Sequence, residues 1–457
     1  MHAFDDGPTP CMPTKAVLRS IRRQLKSAHA LSRGDVRLAA AMGLVTAPAV
    51  RPRGFNDGLI YPVGPEPERA GARRSPTARL SLAPTPVRKM HALVLLVDFP
   101  DNVGARPRAE FEQLLFGADQ LRSLTTYYRA LSRNKLVVTG EVVGYVRAPR
   151  PYSFYTNGES GTGENSFPSN TPGLLVDALT VFCQTDSLAR FDTDGDGFVD
   201  GIFLVHAGGG AEAEPDPAKR RDMIWSHKWV LPTPFENQGV KVFAYSTEPE
   251  DGRVGVFCHE FGHVLGLPDL YDTTYRSEGV GQWCLMGAGS WGGGGDRPTR
   301  MSCWCLAKLG WVKPAVVKRA GSLSLKTLEA DPKACRRLWT KGKSGPEYFL
   351  IENRQTSGMD AELPGSGLAV WHIDETQSGN TNRLGYMVGL MQADGKRDLE
   401  LNGNSGDDGD LFPGGTRATA FDDGTTPSSR TYLGDPTGVA ISRIKEQGGT
   451  ITARIKV

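Results

Sequence analysis

The segment His259-Glu-Phe-Gly-His263-Val-Leu-Gly266-Leu-Pro-Asp269 spells H-E-x-x-H-x-x-G-x-x-D. On a helix, residues i and i+4 stand one above the other, so His259 and His263 can hold one metal ion between them. Glu260 sits beside the first ligand, where its carboxylate can take a proton from a water on that ion. Gly266 fits a helix C-cap, and Pro268 keeps the helix from resuming. Asp269 is then carried back as the expected third ligand. Three protein ligands leave the fourth tetrahedral position open, the arrangement of a catalytic rather than a structural zinc. H-E-x-x-H alone is short enough to arise by chance on a surface helix. The ordered glycine, proline and oxygen ligand argue for a metal site. Gly262, inside the helix at a cost of roughly 1 kcal/mol relative to alanine, implies close packing there.

Outward from the motif, the 457 residues are enough for two or three domains. Residues 14–42 read as helical, with apolar positions at helical spacing between arginines. Residues 47–88 are rich in Pro, Arg and Gly, as a linker or an extended segment lying on another surface would be. A strand is expected at 91–98, where a near-continuous apolar run suits a sheet centre. A helix over 108–131, a strand over 135–146, a helix over 171–183 and a strand over 201–206 follow. The motif helix is expected at 254–265. Beyond 313, short alternating segments at 348–352, 367–374, 387–392 and 451–455 suggest an all-β sandwich. The expected class is α+β. Residues 1–89 form a leader, 90–312 a mixed α/β domain carrying the motif, and 313–457 a β-rich domain.

Charge is nearly balanced, 53 Lys and Arg against 51 Asp and Glu, and nothing in it points to nucleic acid. Residues 1–90 carry 15 basic and 6 acidic residues, a net of +9, which leaves 53−15=38 basic and 51−6=45 acidic, a net of −7. Such a leader can dock on the body of the protein or remain solvated. No stretch approaches the ~20 apolar residues of a membrane span. The N-terminus, Met-His-Ala-Phe-Asp-Asp-Gly-Pro, lacks the basic and apolar regions of a secretory signal. The seven cysteines (11, 183, 258, 284, 303, 305, 335) are an odd number with no zinc-finger spacing. Neither their pairing nor the oligomeric state can be read from the sequence.

Other residues support the motif. Met286, flanked by small residues 17 positions after Asp269 (286−269=17), resembles the turn that floors the metal in metzincin proteases. Asp192, Asp194, Asp196 and Asp200 occupy positions 1, 3, 5 and 9 of a calcium loop, with Gly197 at position 6. Phe203 stands at position 12, so this is no standard EF-hand; a structural Ca2+ is expected. The acidic loop 404–410 is a weaker candidate of the same kind. His227 is a candidate for the cleft, whereas His206 and His372, at the ends of apolar strands, read as structural. Tyr271 or Tyr275 can donate a hydrogen bond to an oxyanion.

Together these stretches resemble the immune inhibitor A-like family of bacterial zinc metallopeptidases. The likeness runs from Leu93-Val-Leu-Leu-Val-Asp-Phe-Pro-Asp101 and Tyr127-Tyr-Arg-Ala-Leu-Ser through Asp192–Asp200, Ile224-Trp-Ser-His and Pro268-Asp-Leu-Tyr-Asp272. It continues past Met286 to Ala307-Lys-Leu-Gly-Trp-Val, Phe349-Leu-Ile-Glu-Asn-Arg-Gln and Gly367-Leu-Ala-Val-Trp-His-Ile-Asp. The resemblance implies a secreted endopeptidase acting on proteins or peptides, with a prosegment, a metzincin-like domain and a β-rich C-terminal domain. By position, His259, His263 and Asp269 would bind Zn2+, Glu260 would be the base and Met286 the Met-turn. A zymogen needs a group on the metal's open site. Cys11 could supply a thiolate and Asp57 a carboxylate, and the extended stretch around Asp57 favours the latter. Two other functions are compatible with the motif: a secreted binding protein with a vestigial metal site, and a metal-dependent hydrolase of non-peptide bonds.

Overall fold

The computed structural model describes residues 8–31, 88–118 and 122–457. The chain divides into two compact units, Met1–Pro268 and Asp269–Val457, and the division falls inside the motif.

The first unit is built on a six-stranded sheet. Its strands are β1 (Thr9–Pro10), β2 (Arg88–Asp98), β3 (Leu136–Arg147), β4 (Ile202–His206), β5 (His227–Asn237) and β6 (Val240–Pro249), in the order β1-β5-β6-β4-β2-β3. Residues 92–97 of β2 are fully buried. That is the signature of a parallel strand covered on both faces, and β2 pairs in parallel with both β3 and β4. β4 continues in parallel to β6, after which β5 and β1 add antiparallel strands at one edge. The β5–β6 hairpin was not among the elements expected from the sequence. Its turn is Gln238-Gly239, both at positive φ, but Pro232 and Pro234 interrupt the alternation that would announce a strand.

The longer helices described in this unit are α1 (Lys15–Leu31), α2 (Arg108–Phe116), α3 (Leu124–Ser132), α4 (Thr171–Phe182) and α5 (Val254–Val264). The single helix expected over 108–131 is in fact two. Gly117 leaves helical geometry at the end of α2, and Ser123 starts α3 with a capping box in which Ser123 and Thr126 bond reciprocally. The helix expected over 14–42 is seen as α1, and its remainder lies outside the described residues.

The second unit is β-rich. It opens with irregular turns and α6 (Cys303–Lys308), followed by β7 (Ala315–Val316), β8 (Gly321–Leu325), β9 (Cys335–Leu338), β10 (Glu347–Arg354), β11 (Gly367–Asp374), β12 (Val388–Leu390), β13 (Ala420–Phe421), β14 (Ala440–Gln447) and β15 (Thr450–Lys456). These form a five-stranded sheet, β12-β11-β10-β9-β7, and a four-stranded sheet, β13-β14-β15-β8. Phe349 packs edge-on against Phe421, and Asn353 Nδ2 donates to Leu325 O and Gly449 O, tying one sheet to the other. A helical turn at Asp398–Leu401 interrupts what was expected to be all-β. None of the described helices is long and apolar enough to cross a membrane.

Candidate active site

Helix α5 presents two faces with different work. Phe257 and Phe261, four residues apart, turn to the sheet, where both contact Phe203 of β4 and Phe261 also meets Tyr128 of α3. The Tyr128 hydroxyl donates to Cys258 O at 2.6 Å and fixes the helix further. At about 100° per residue, positions 259 and 263 lie roughly 200° from the phenylalanine pair. His259 and His263 therefore stack on the opposite side of α5, and both are fully buried.

The end of the helix sets the ligand geometry. Gly266 has φ +93°, a region open to glycine and strained for other residues. Leu267 N donates to Gly262 O at 3.0 Å and Gly266 N to His263 O at 2.9 Å, the bond pair of a Schellman cap. This cap brings Leu267 O to 2.8 Å from His263 Nδ1. An Nδ1–H···O bond leaves the Nε2 lone pair of His263 outward, the tautomer a metal requires. His263 Nε2 and His259 Nε2 are 3.1 Å apart, with the rings nearly perpendicular. Two nitrogens on one tetrahedral zinc would stand about 3.3 Å apart, given Zn–N bonds near 2.05 Å. A neutral pair could instead share one proton, but Asp269 brings a third donor, and the three ligand atoms lie within 4.8 Å of one another. Two imidazoles and a carboxylate suit Zn2+ chemically. Glu260, the next residue on α5, is also buried.

Beyond the third donor, Leu270 N donates to Met286 O at 2.7 Å. The Met286 turn is thus held to the backbone next to Asp269, and its side chain is fully buried. Tyr271 and Tyr275 are both buried, their rings stacked 6.1 Å apart.

In the loop 192–200, Asp192, Asp194 and Asp196 converge, with Gly195 and Gly197 at positive φ making the turn. Asp192 accepts from the amides of Asp196 and Gly197. Asp200 lies outside this group of three. It accepts from His91 N and from the amide and hydroxyl of Thr193, so it pins the loop to β2. Burial raises its pKa. A second convergent acidic group, Asp394, Asp398 and Asp407, takes one member from the 404–410 loop.

The remaining candidates are His227, His206, His372, Cys11 and Asp57. His227 is buried in β5, its Nδ1 2.6 Å from Trp225 O and its Nε2 3.1 Å from the Tyr245 hydroxyl, and burial lowers its pKa to about 4. His206 is likewise buried, and His372 pairs with Glu347. Cys11 is not among the three converging donors. Its amide donates to Ser226 O and its carbonyl accepts from Trp225 Nε1, which locks it beside β5. Asp57 lies outside the described residues.

A buried network escaped the sequence reading altogether. Arg354 makes a two-pronged contact with Asp360, both bonds 2.7 Å, and donates to Trp283 O at 2.8 Å. Arg300 reaches Glu352 at 2.9 Å, and Glu352 also accepts from Trp371 Nε1 and Cys303 N. Burial alone would raise the pKa of Asp360, but the two arginines hold it below its usual value. Arginine and glutamate in β10 alternate as solvent-facing residues would, so nothing in the sequence announces their burial.

Residues 82–312 match the family model described as immune inhibitor A peptidase M6, catalytic domain. The chain is similar to immune inhibitor A of Bacillus thuringiensis subsp. alesti, 32% identical over 268 residues, covering 47% of this chain and 39% of that protein. It is also similar to the pre-pro-metalloprotease PrtV of Vibrio cholerae serotype O1, 29% identical over 319 residues, covering 57% of this chain and 34% of that one. A shorter match, 32% over 90 residues, is to a putative secreted metallopeptidase of Arthroderma benhamiae, 19% of this chain and 13% of that protein. The chain thus spans little more than a third of the two longer relatives. With the family match covering half of the chain and containing the whole metal-binding motif, the chain belongs to the immune inhibitor A M6 peptidase family.

Proposed function

We propose that the chain is a zinc-dependent endopeptidase that cleaves peptide bonds of protein substrates outside the cell and is made as a zymogen. The observation that carries this reading is the convergence of His259, His263 and Asp269 one residue from a buried glutamate. A zinc ion held by those three residues would supply Lewis acidity to the scissile carbonyl and lower the pKa of the attacking water. Glu260 would accept a proton from the attacking water and deliver it to the leaving amine. Tyr271 or Tyr275 donates to the developing oxyanion. Met286 floors the site, and Asp192, Asp194 and Asp196 hold a structural Ca2+.

Latency is supported by the start of the chain. Thr9 and Pro10 pair with Lys228 and His227, so the leader already occupies the outer edge of β5. Helix α5 packs on β5 and β6, so this edge belongs to the sheet that carries the metal-binding helix. An extended substrate adding a strand there would compete with the leader.

Glu260→Gln should keep a full equivalent of zinc by metal analysis and lose about 10²–10⁴-fold in peptide turnover. Turnover at the parental rate would end the mechanism. Removal of residues 1–89 should raise turnover of a protein substrate; an unchanged rate counts against latency.

A further inference from the structure

Four of the seven cysteines lie in the second unit, and all four are buried: Cys284, Cys303, Cys305 and Cys335. Cys303 and Cys305 flank Trp304 on α6, so their side chains leave the helix about 200° apart. Each therefore meets a different neighbour. Cys305 Sγ is 3.8 Å from Cys284 Sγ. Ser302 brackets this pair, its amide donating to Cys284 Sγ at 3.3 Å and its hydroxyl to Cys305 Sγ at 3.4 Å. On the other side, Cys303 N donates to Glu352 Oε1, and Cys335 stands directly opposite Glu352 in the β9–β10 ladder. Directly opposed residues point to the same face, which puts the Cys335 thiol beside that of Cys303. Burial raises the Cys303 pKa and the neighbouring Cys335 thiol raises it further.

We propose that these four residues are two disulfide sites, Cys284–Cys305 and Cys303–Cys335, that close when the chain folds in an oxidising compartment. The rival is a thiolate metal site. Among the described residues, no group of three convergent metal-ligating side chains contains a cysteine, so the sulfurs are arranged in pairs rather than as a cage. Closing Cys284 to Cys305 needs the sulfurs to approach from contact to a bond of about 2.05 Å, within reach of side-chain rotation. The oxidant is a disulfide donor such as oxidised glutathione. One thiolate attacks a donor sulfur and expels a donor thiolate. The second cysteine thiolate then attacks the mixed disulfide and expels the other. Each protein disulfide forms as one donor disulfide becomes two thiols, and the two cysteine protons are taken up by the donor thiolates. Because all four are buried, exchange takes place before the unit closes. The bonds would pin the Met286 turn to α6 and α6 to the five-stranded sheet, whether or not the protein cleaves peptides.

The full natural chain, folded in a glutathione redox buffer, is unfolded without reductant and alkylated. Of seven thiols, 7−4=3 should take the label, and the unlabelled mass should fall by about 4 Da, two hydrogens per bond. Chymotryptic cleavage after Trp304 separates Cys303 from Cys305, so each linkage can be read by mass spectrometry. Expected are joined peptides for 284–305 and 303–335. Seven labelled thiols, a single bond, or the crossed partners 303–305 and 284–335 would each overturn the assignment.

Discussion

The Arg354 network and the His259–Asp269 cluster are both buried and polar, but their charges are balanced in different ways. In the first, two guanidiniums face two carboxylates, and Trp283 O, Trp371 Nε1 and Cys303 N engage lone pairs and protons the ions leave over. In the second, the converging atoms are two imidazole nitrogens and a carboxylate oxygen. All three can donate electron pairs, and neither lysine nor arginine is among them. Burial of ionisable groups therefore does not by itself mark a functional site; the composition of the cluster does. A set that contains its own counter-ions holds architecture, whereas a set made only of electron-pair donors could hold a cation.

The sharpest way to break this contrast is to remove one partner from each side. Arg354→Ala leaves Asp360 and Glu352 short of charge in a dry interior and should cost about 3–5 kcal/mol in urea unfolding. His259→Ala should abolish stoichiometric zinc while costing the metal-free protein less than that. Equal losses in the metal-free proteins would erase the distinction.

Asp410 extends the comparison to a buried carboxylate whose neighbours include the carboxylates of Asp407 and Asp394. Burial, reinforced by Asp407 and Asp394, raises its pKa to about 7, although it accepts from Trp283 Nε1 at 2.8 Å. The folded pKa lies above the unfolded one. Its stabilising share is thus complete below about pH 4 and is lost as pH rises toward 7. Asp410→Asn should gain stability relative to the parent across that window, by up to about 4 kcal/mol from the linkage. Parallel pH–stability curves for the two proteins would refute this.

The smallest effect is expected at Gly266. Gly266→Ala should cost about 1–2 kcal/mol for left-handed backbone and weaken zinc by moving Leu267 O from His263. Gly266→Asn, which tolerates that conformation, should recover much of both. Alanine matching glycine in zinc affinity would separate the cap from the ligand geometry.

The sequence was most legible where chemistry and local geometry coincide. His259, His263, Gly266 and Asp269 lie within eleven residues of continuous chain, and their spacing contains the arrangement. The buried run of β2 was equally plain, because parallel strands are apolar on both faces. The β5–β6 hairpin was hidden by its prolines, and the division of 108–131 into two helices by an intact apolar period across Gly117. Arg354 and Glu352 were invisible for another reason. Their partners, Asp360 and Arg300, come from other segments, and only tertiary pairing makes their burial tolerable.

The two-residue strand at Thr9–Pro10 bears on how the protein behaves in bulk. A bare sheet edge recruits other edges, and proteins blunt it with covering segments or prolines. Along β5, Pro232 and Pro234 lack the amides a neighbour would need, while His227 and Lys228 are shielded by the leader instead. Loss of the leader would uncover His227 and Lys228, a part of that edge that carries no proline. Maturation and self-association would then be coupled, and a processed form would stay monodisperse only at low protein concentration or with a substrate strand in the leader's place.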